Sequence, residues 1–215
     1  MLKDFFIRRP PAPFHINPVV KAFIISETII WSSWNAIIPI FAIFIADKVP
    51  GGSIEVAASS FAVRLIAQVI LELIIGRYLA CSSERKKFIV SIIGIVFISF
   101  GYLGFAFTHS VFQIYLFNIV IGLGAGIANP AKNCLFSTHL DKNRETTEWS
   151  FYDATVLAGI AISATVGGFV ATNYGFSLLF LIACVFNLFG IIPYVLLARK
   201  SVGDNGLKDL FFKKA

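Results

Sequence analysis

The sequence predicts an all-α integral membrane protein with six transmembrane helices, and three observations predict it. Of its 215 residues, 57% are hydrophobic and only 14% charged, with a mean hydropathy of +0.81. A soluble domain carries about 25% charged residues. The apolar residues fall into six runs, each long enough for the roughly 20 residues a spanning helix needs. The basic residues cluster at the two ends and on alternate connections. A soluble globule of this size could not hide 23 Phe in one core. Soluble enzyme, disordered tail and secreted disulfide scaffold are therefore excluded. The length leaves room for six spans, short loops and little else.

Residues 1–18 form a basic, Pro-interrupted segment, read as cytoplasmic. A cleaved signal peptide has a short apolar region and a small-x-small site. The first apolar run is too long for that and reads as an uncleaved helix. The six-helix domain covers residues 19–198, and residues 199–215 form a basic cytoplasmic tail. The spans are expected at residues 19–46, 54–79, 88–107, 111–135, 151–172 and 176–198. The first is longer than one crossing requires. Pro39 is expected to kink it, or residues 36–46 to tilt outward. A β-barrel is excluded, because its strands are about ten residues long and alternate in polarity.

Every Lys and Arg except Lys48 and Arg64 falls at the termini or on the second and fourth connections. The positive-inside rule then places both termini in the cytoplasm. This leaves a multi-pass protein of the plasma or inner membrane. The charge bias also makes dual insertion unfavourable, so two associated copies would run parallel. The net charge of +6 is thus a topology label, and no nucleic-acid partner is implied. The ends echo each other, LKDFF at residues 2–6 and LKDLFF at residues 207–212. Lys mixed with aromatics suits an interfacial segment or a frayed terminus.

Ionisable groups inside spans are costly and mark function by default. Glu27, Trp31 and Asn35 recur every four residues on one face of span 1. Ser60, Arg64, Gln68 and Glu72 form a polar stripe on span 2. Helix rise places Glu27 and Glu72 toward the inner leaflet and Arg64 near the midplane. A Glu27–Arg64 or Glu72–Arg64 pair is expected within side-chain reach. The stripe is either a water-filled pathway with a proton-carrying carboxylate, a buried ion pair that fixes packing, or a face toward a partner subunit. Span 4 carries Asn118, Gly122, Ala125 and Asn129 along one side, with Lys132 expected to snorkel at its end. Span 5 repeats small residues at Thr155, Gly159, Ser163, Gly167 and Ala171, a close-packing seam.

No enzyme motif is present, nor any Cys/His cluster for a metal, and no cofactor is expected. Cys81, Cys134 and Cys184 are odd in number and widely spaced. His15, His109 and His139 lie at or outside span ends. Asn129-Pro130-Ala131 matches the aquaporin triplet, but aquaporins need two of them meeting at the midplane.

In these motifs the chain resembles the N-terminal six-helix half of a major facilitator superfamily transporter. The stretch after span 2 runs Gly76-Arg77-Tyr78-Leu79-Ala80-Cys81-Ser82-Ser83-Glu84-Arg85-Lys86-Lys87. It is similar to the family's G-x-L-A-D-R-x-G-R-K loop, a conformational latch. Leu79-Ala80 and Arg85-Lys86 fit, Gly76 is one residue early, and Cys81 and Glu84 replace Asp and Gly. Span 4, with Asn118 followed by Gly122-Leu123-Gly124-Ala125-Gly126, is similar to R-x-x-x-G-x-G-A, with Asn118 in place of Arg. Span 5, residues 159–168, is similar to the antiporter signature, with Ser163-Ala164 in place of Gly-Pro.

The resemblance implies two inverted three-helix repeats, half of that family's fold. It implies that spans 1 and 4 line a central cavity, where Glu27, Trp31, Asn35, Asn118 and Asn129 face the substrate pathway. Spans 2 and 5 then flank a second half, which Arg64, Gln68 and Glu72 approach as an ion pair or proton relay. The partners implied are the lipid bilayer, a second six-helix half (self or separate chain) and a small solute, with proton coupling as one option. The function implied is secondary transport by alternating access in a parallel dimer. A transport-inactive scaffold or truncated remnant is the alternative.

Overall fold

The computed structural model describes residues 16–204. Both echoing terminal segments lie outside the described residues, as do most of the N-terminal segment and the end of the basic tail. The described helices are α1 (Pro18–Asn35), α2 (Ile38–Lys48), α3 (Ile54–Leu79), α4 (Glu84–Ala106), α5 (Val111–Thr138), α6 (Glu145–Tyr174), α7 (Phe176–Phe189) and α8 (Ile191–Asp204). Among the described residues they make six apolar crossings, with α1 and α2 sharing the first and α7 and α8 the last.

Local chemistry explains the ends and breaks. Span 1 breaks at residues 36–37. Pro39 has no N–H to offer the Asn35 carbonyl, so the α-helical ladder cannot run through. Ile37 N–H closes α1 instead by donating to the Trp34 carbonyl at 3.0 Å. Asn17, Ser53 and Ser110 cap α1, α3 and α5 by accepting from backbone N–H groups in the first turn. Gly175, at φ 90°, turns the chain between α6 and α7, a conformation that disfavours a side chain.

Spans 4 and 5 are longer than their apolar runs. Helix α5 continues to Thr138 and α6 begins at Glu145. The connection expected over residues 137–150 shrinks accordingly. Polar residues there extend the helices, so hydropathy alone misplaces the boundary.

The packing has the expected internal symmetry. Span 2 packs on span 4 as span 5 packs on span 1. Span 3 packs on span 4 as span 6 packs on span 1, and spans 3 and 6 pack on each other. Exchanging spans 1–3 with spans 4–6 maps these contacts onto themselves, while the span 1–span 2 and span 5–span 6 packing is not matched to the same extent. An odd number of spans per repeat makes the two repeats inverted.

Small residues allow the close approaches. A Cβ on Gly122 would stand 2.3 Å from the Arg64 carbonyl oxygen, and one on Gly126 2.7 Å from that of Gln68. On span 5, Gly159 meets Thr28 and Ser32, and Gly167 meets the Ala36 backbone. The span 5 seam is thus a packing surface against span 1. Two apolar clusters fill the interior: one around Phe41, Phe105 and Phe180, the other around Phe23, Phe88 and Tyr194. Fully buried Asn187 ties span 6 to span 3, donating to Ser99 Oγ at 2.8 Å and the Ile95 carbonyl at 3.1 Å. Spans 2 and 5 are the least enclosed, with 11% and 17% of their apolar windows buried.

Candidate functional site

The site is built on span 1. Its polar face begins with Glu27, about 14 Å along α1 from Pro18 at 1.5 Å per residue. At that depth a bare carboxylate is costly, so it must be paired or hydrogen-bonded. Span 4 supplies the charge. Lys132 Nζ lies 3.0 Å from Glu27 Oε2. Span 6 supplies the hydrogen bond, with Tyr194 Oη donating to Glu27 Oε1 at 2.7 Å. All three residues are buried. Each of the two carboxylate oxygens thus has its own partner, from a different helix.

This corrects the expected pairing. Arg64 pairs with neither Glu27 nor Glu72. Glu72 instead accepts from Gln68 Nε2 at 3.3 Å, one turn along its own helix. The Arg64 guanidinium lies over the Trp34 ring, 3.7 Å from its centroid. Lys132 does not snorkel, because it is 6% exposed and its ammonium is engaged by Glu27. Two members of the cluster, Lys132 as a charge partner and Tyr194 as a donor, were missed. The depth of Lys132 was hidden in the sequence, because the apolar run ends at residue 135 whereas the helix runs on to Thr138.

The other candidate residues are more dispersed. Trp31 is 41% exposed, one turn beyond Glu27. Asn35 is half-buried and donates back to the Trp31 carbonyl at 2.9 Å. Asn118 is fully buried; its Nδ2 donates to the Ile114 carbonyl at 3.1 Å, and its Oδ1 has no partner. Asn129 is half-buried on α5. Span 4 therefore buries Asn118 in the bundle, while Lys132 is the residue it brings to span 1.

In the connecting loop, Leu79 is buried and Gly76 faces open space, with nothing within 4 Å of a built Cβ. Arg85 and Lys86 are half-buried, and the Lys86 ammonium sits 3.9 Å over the Tyr78 ring centroid. A second buried acid, Glu148, went unnoticed in the sequence. It opens α6 and accepts from the backbone N–H of Asp141 at 2.9 Å and of Asn17 at 3.5 Å. That clasp ties the start of span 1 to the connection between spans 4 and 5.

Two grooves of about 350 and 410 Å3 lie away from these groups. The larger, between spans 1 and 6, is lined by Ile25, Ile29, Phe186, Phe189, Ile192 and Pro193. It offers no polar group to orient a solute and suits lipid chains. No cluster of metal-ligating side chains occurs among the described residues.

The sequence pattern of the Major Facilitator Superfamily matches residues 23–211. A curated relative, the bacillibactin exporter of Bacillus subtilis (strain 168), is 24% identical over 136 residues, covering 62% of this chain and 33% of that protein. The fold is similar to the crystal structure of the POT family transporter PepTSo. That match has a TM-score of 0.71 and 18% identity, and covers 86% of this chain and 38% of the transporter. The chain thus spans about a third of the length of these relatives. With the pattern running through all six crossings, the chain belongs to the major facilitator superfamily.

Proposed function

We propose that this chain is one six-helix half of a secondary transporter that moves a small solute by alternating access, working as a parallel pair of copies in the cell membrane with both termini cytoplasmic. The observation that carries the reading is the buried Glu27–Lys132–Tyr194 cluster, which joins spans 1, 4 and 6. A cluster that costs this much desolvation is better explained by transport than by packing. Glu27 takes the proton-carrying role. Protonating it breaks the pair with Lys132 and frees span 1 to move relative to span 4. Release of that proton on the other side restores the Glu27 carboxylate, which pairs again with the Lys132 ammonium and resets the cycle. Trp31, Asn35, Asn118 and Asn129 belong to the substrate side, and Gly76, Leu79, Arg85 and Lys86 to the loop that latches the two halves.

The least enclosed spans support a second half. Spans 2 and 5 present long apolar faces, including Leu65, Val69 and Leu73 on one and Ile162, Val166 and Phe169 on the other. A second copy inserted in the same orientation, as the Lys and Arg bias favours, covers them. Cys81 and Asn118, in place of the Asp and Arg of related motifs, favour the competing reading of a transport-inactive scaffold.

Proteoliposomes separate the two. Uptake across a panel of labelled solutes is measured with and without an imposed proton gradient. The transporter reading expects at least one solute to accumulate faster with the gradient. The scaffold reading expects no flux above protein-free vesicles for any of them.

A further inference from the structure

Arg64 is the buried charge that the Glu27 cluster leaves unanswered. It lies about 15 Å along α3 from Ile54, half of a roughly 30 Å hydrocarbon core. It is only 9% exposed, and its Nε and Nη1 have no hydrogen-bond partner. The two acids expected to answer it are engaged elsewhere, Glu27 by Lys132 and Tyr194, and Glu72 by Gln68.

What holds the guanidinium is aromatic. Trp34 covers one face at 3.7 Å, and Tyr102 stacks on Trp34 with ring centroids 6.0 Å apart and planes 9° from parallel. A cation–π contact orients an arginine but leaves its N–H groups unsatisfied. An anionic oxygen ligand supplies both the missing acceptors and the missing charge. A monoanion cancels Arg64 one for one. A phosphate dianion leaves net charge behind in an apolar surrounding, so a carboxylate fits better.

Resting on the transport reading above, we propose that Arg64, oriented by Trp34, binds the carboxylate of the transported solute, which is therefore a small organic anion. Binding needs no turnover, so the site is tested apart from transport.

The probes are two matched pairs, 4-fluorobenzoate with 4-fluorobenzamide and trifluoroacetate with trifluoroacetamide. Each is titrated into the purified chain in lipid nanodiscs and followed by fluorine NMR line broadening. Saturable binding is expected for at least one carboxylate and for neither amide. Arg64→Gln is expected to weaken it at least tenfold and Arg64→Lys less, while Lys48→Gln, an exposed charge outside the site, leaves it unchanged. Elution as a single folded species qualifies each variant, and Arg64→Lys keeps the comparison open should Arg64→Gln fail to fold. The proposal is overturned by carboxylates that bind no better than their amides, the outcome expected when an acidic side chain of a second half fills the place. It is overturned equally by tight binding that survives the loss of the arginine. Absent flux with intact carboxylate binding counts against the transport reading instead.

Discussion

Glu27→Gln is expected to abolish gradient-driven uptake and to destabilise the protein. The substitution keeps the shape and the Tyr194 hydrogen bond but removes the charge that Lys132 answers. An uncompensated buried cation costs about 3–5 kcal/mol when its partner is removed. At roughly 2–4 °C per kcal/mol for a chain of this size, the melting temperature falls by about 6–20 °C. Replacing both residues, Glu27→Gln with Lys132→Met, removes the stranded charge and is expected to recover most of that stability without recovering uptake. The split separates a transport role from a packing role. If the double variant regains gradient-driven uptake along with its stability, Glu27 carries no proton.

Gly94→Val is expected to be among the most damaging single changes in the packing. Spans 3 and 4 cross with their backbones in contact there. A Cβ on Gly94 would stand 2.5 Å from the Gly124 carbonyl oxygen and 2.6 Å from the Ala128 nitrogen, and one on Gly124 2.7 Å from the Gly94 carbonyl oxygen. Neither neighbour is a side chain that can swing aside. Relief requires the two helices to part, which costs more than the 1–3 kcal/mol typical of overpacking between side chains. Gly168→Ala is the matched control, since nothing lies within 4 Å of its built Cβ. It is expected to leave stability unchanged or raise it by up to about 1 kcal/mol through helix propensity. Fluorescence-detected size exclusion with a thermal ramp reads both. Folded Gly94→Val at wild-type yield would contradict the close crossing.

The six crossings and the break near Pro39 were legible because both follow from local rules. Apolar runs of sufficient length must cross, and a proline in mid-helix removes a hydrogen bond wherever it falls. The inverted pairing of spans came with the motifs rather than with the composition. Helix ends were less legible, because Thr138 and Glu145 are polar residues that extend helices beyond the apolar runs.

Within the site, Glu27 and Arg64 stood out because ionisable groups in apolar runs are rare. Their partners could not be read, since which cation meets which carboxylate depends on how three helices rotate against one another. Lys132 lay close enough to a charged connection to pass for a snorkelling end. Tyr194 was one aromatic among many, and only the fold brings its hydroxyl to a carboxylate. Arg64 stayed unpaired for a related reason, as the glycines of span 4 bring its backbone against α5 while its side chain turns toward Trp34.

The central claim is that two copies of this six-helix unit make one transporter. It is tested most directly by uptake into proteoliposomes holding this chain alone, measured as the protein-to-lipid ratio is lowered. A working pair predicts that initial uptake falls with the square of that ratio once copies are dilute enough to separate. Uptake that falls in simple proportion while single-molecule photobleaching counts one copy per vesicle shows that one copy suffices, and uptake that is absent at every density, for every solute, shows that two copies do not make the machine.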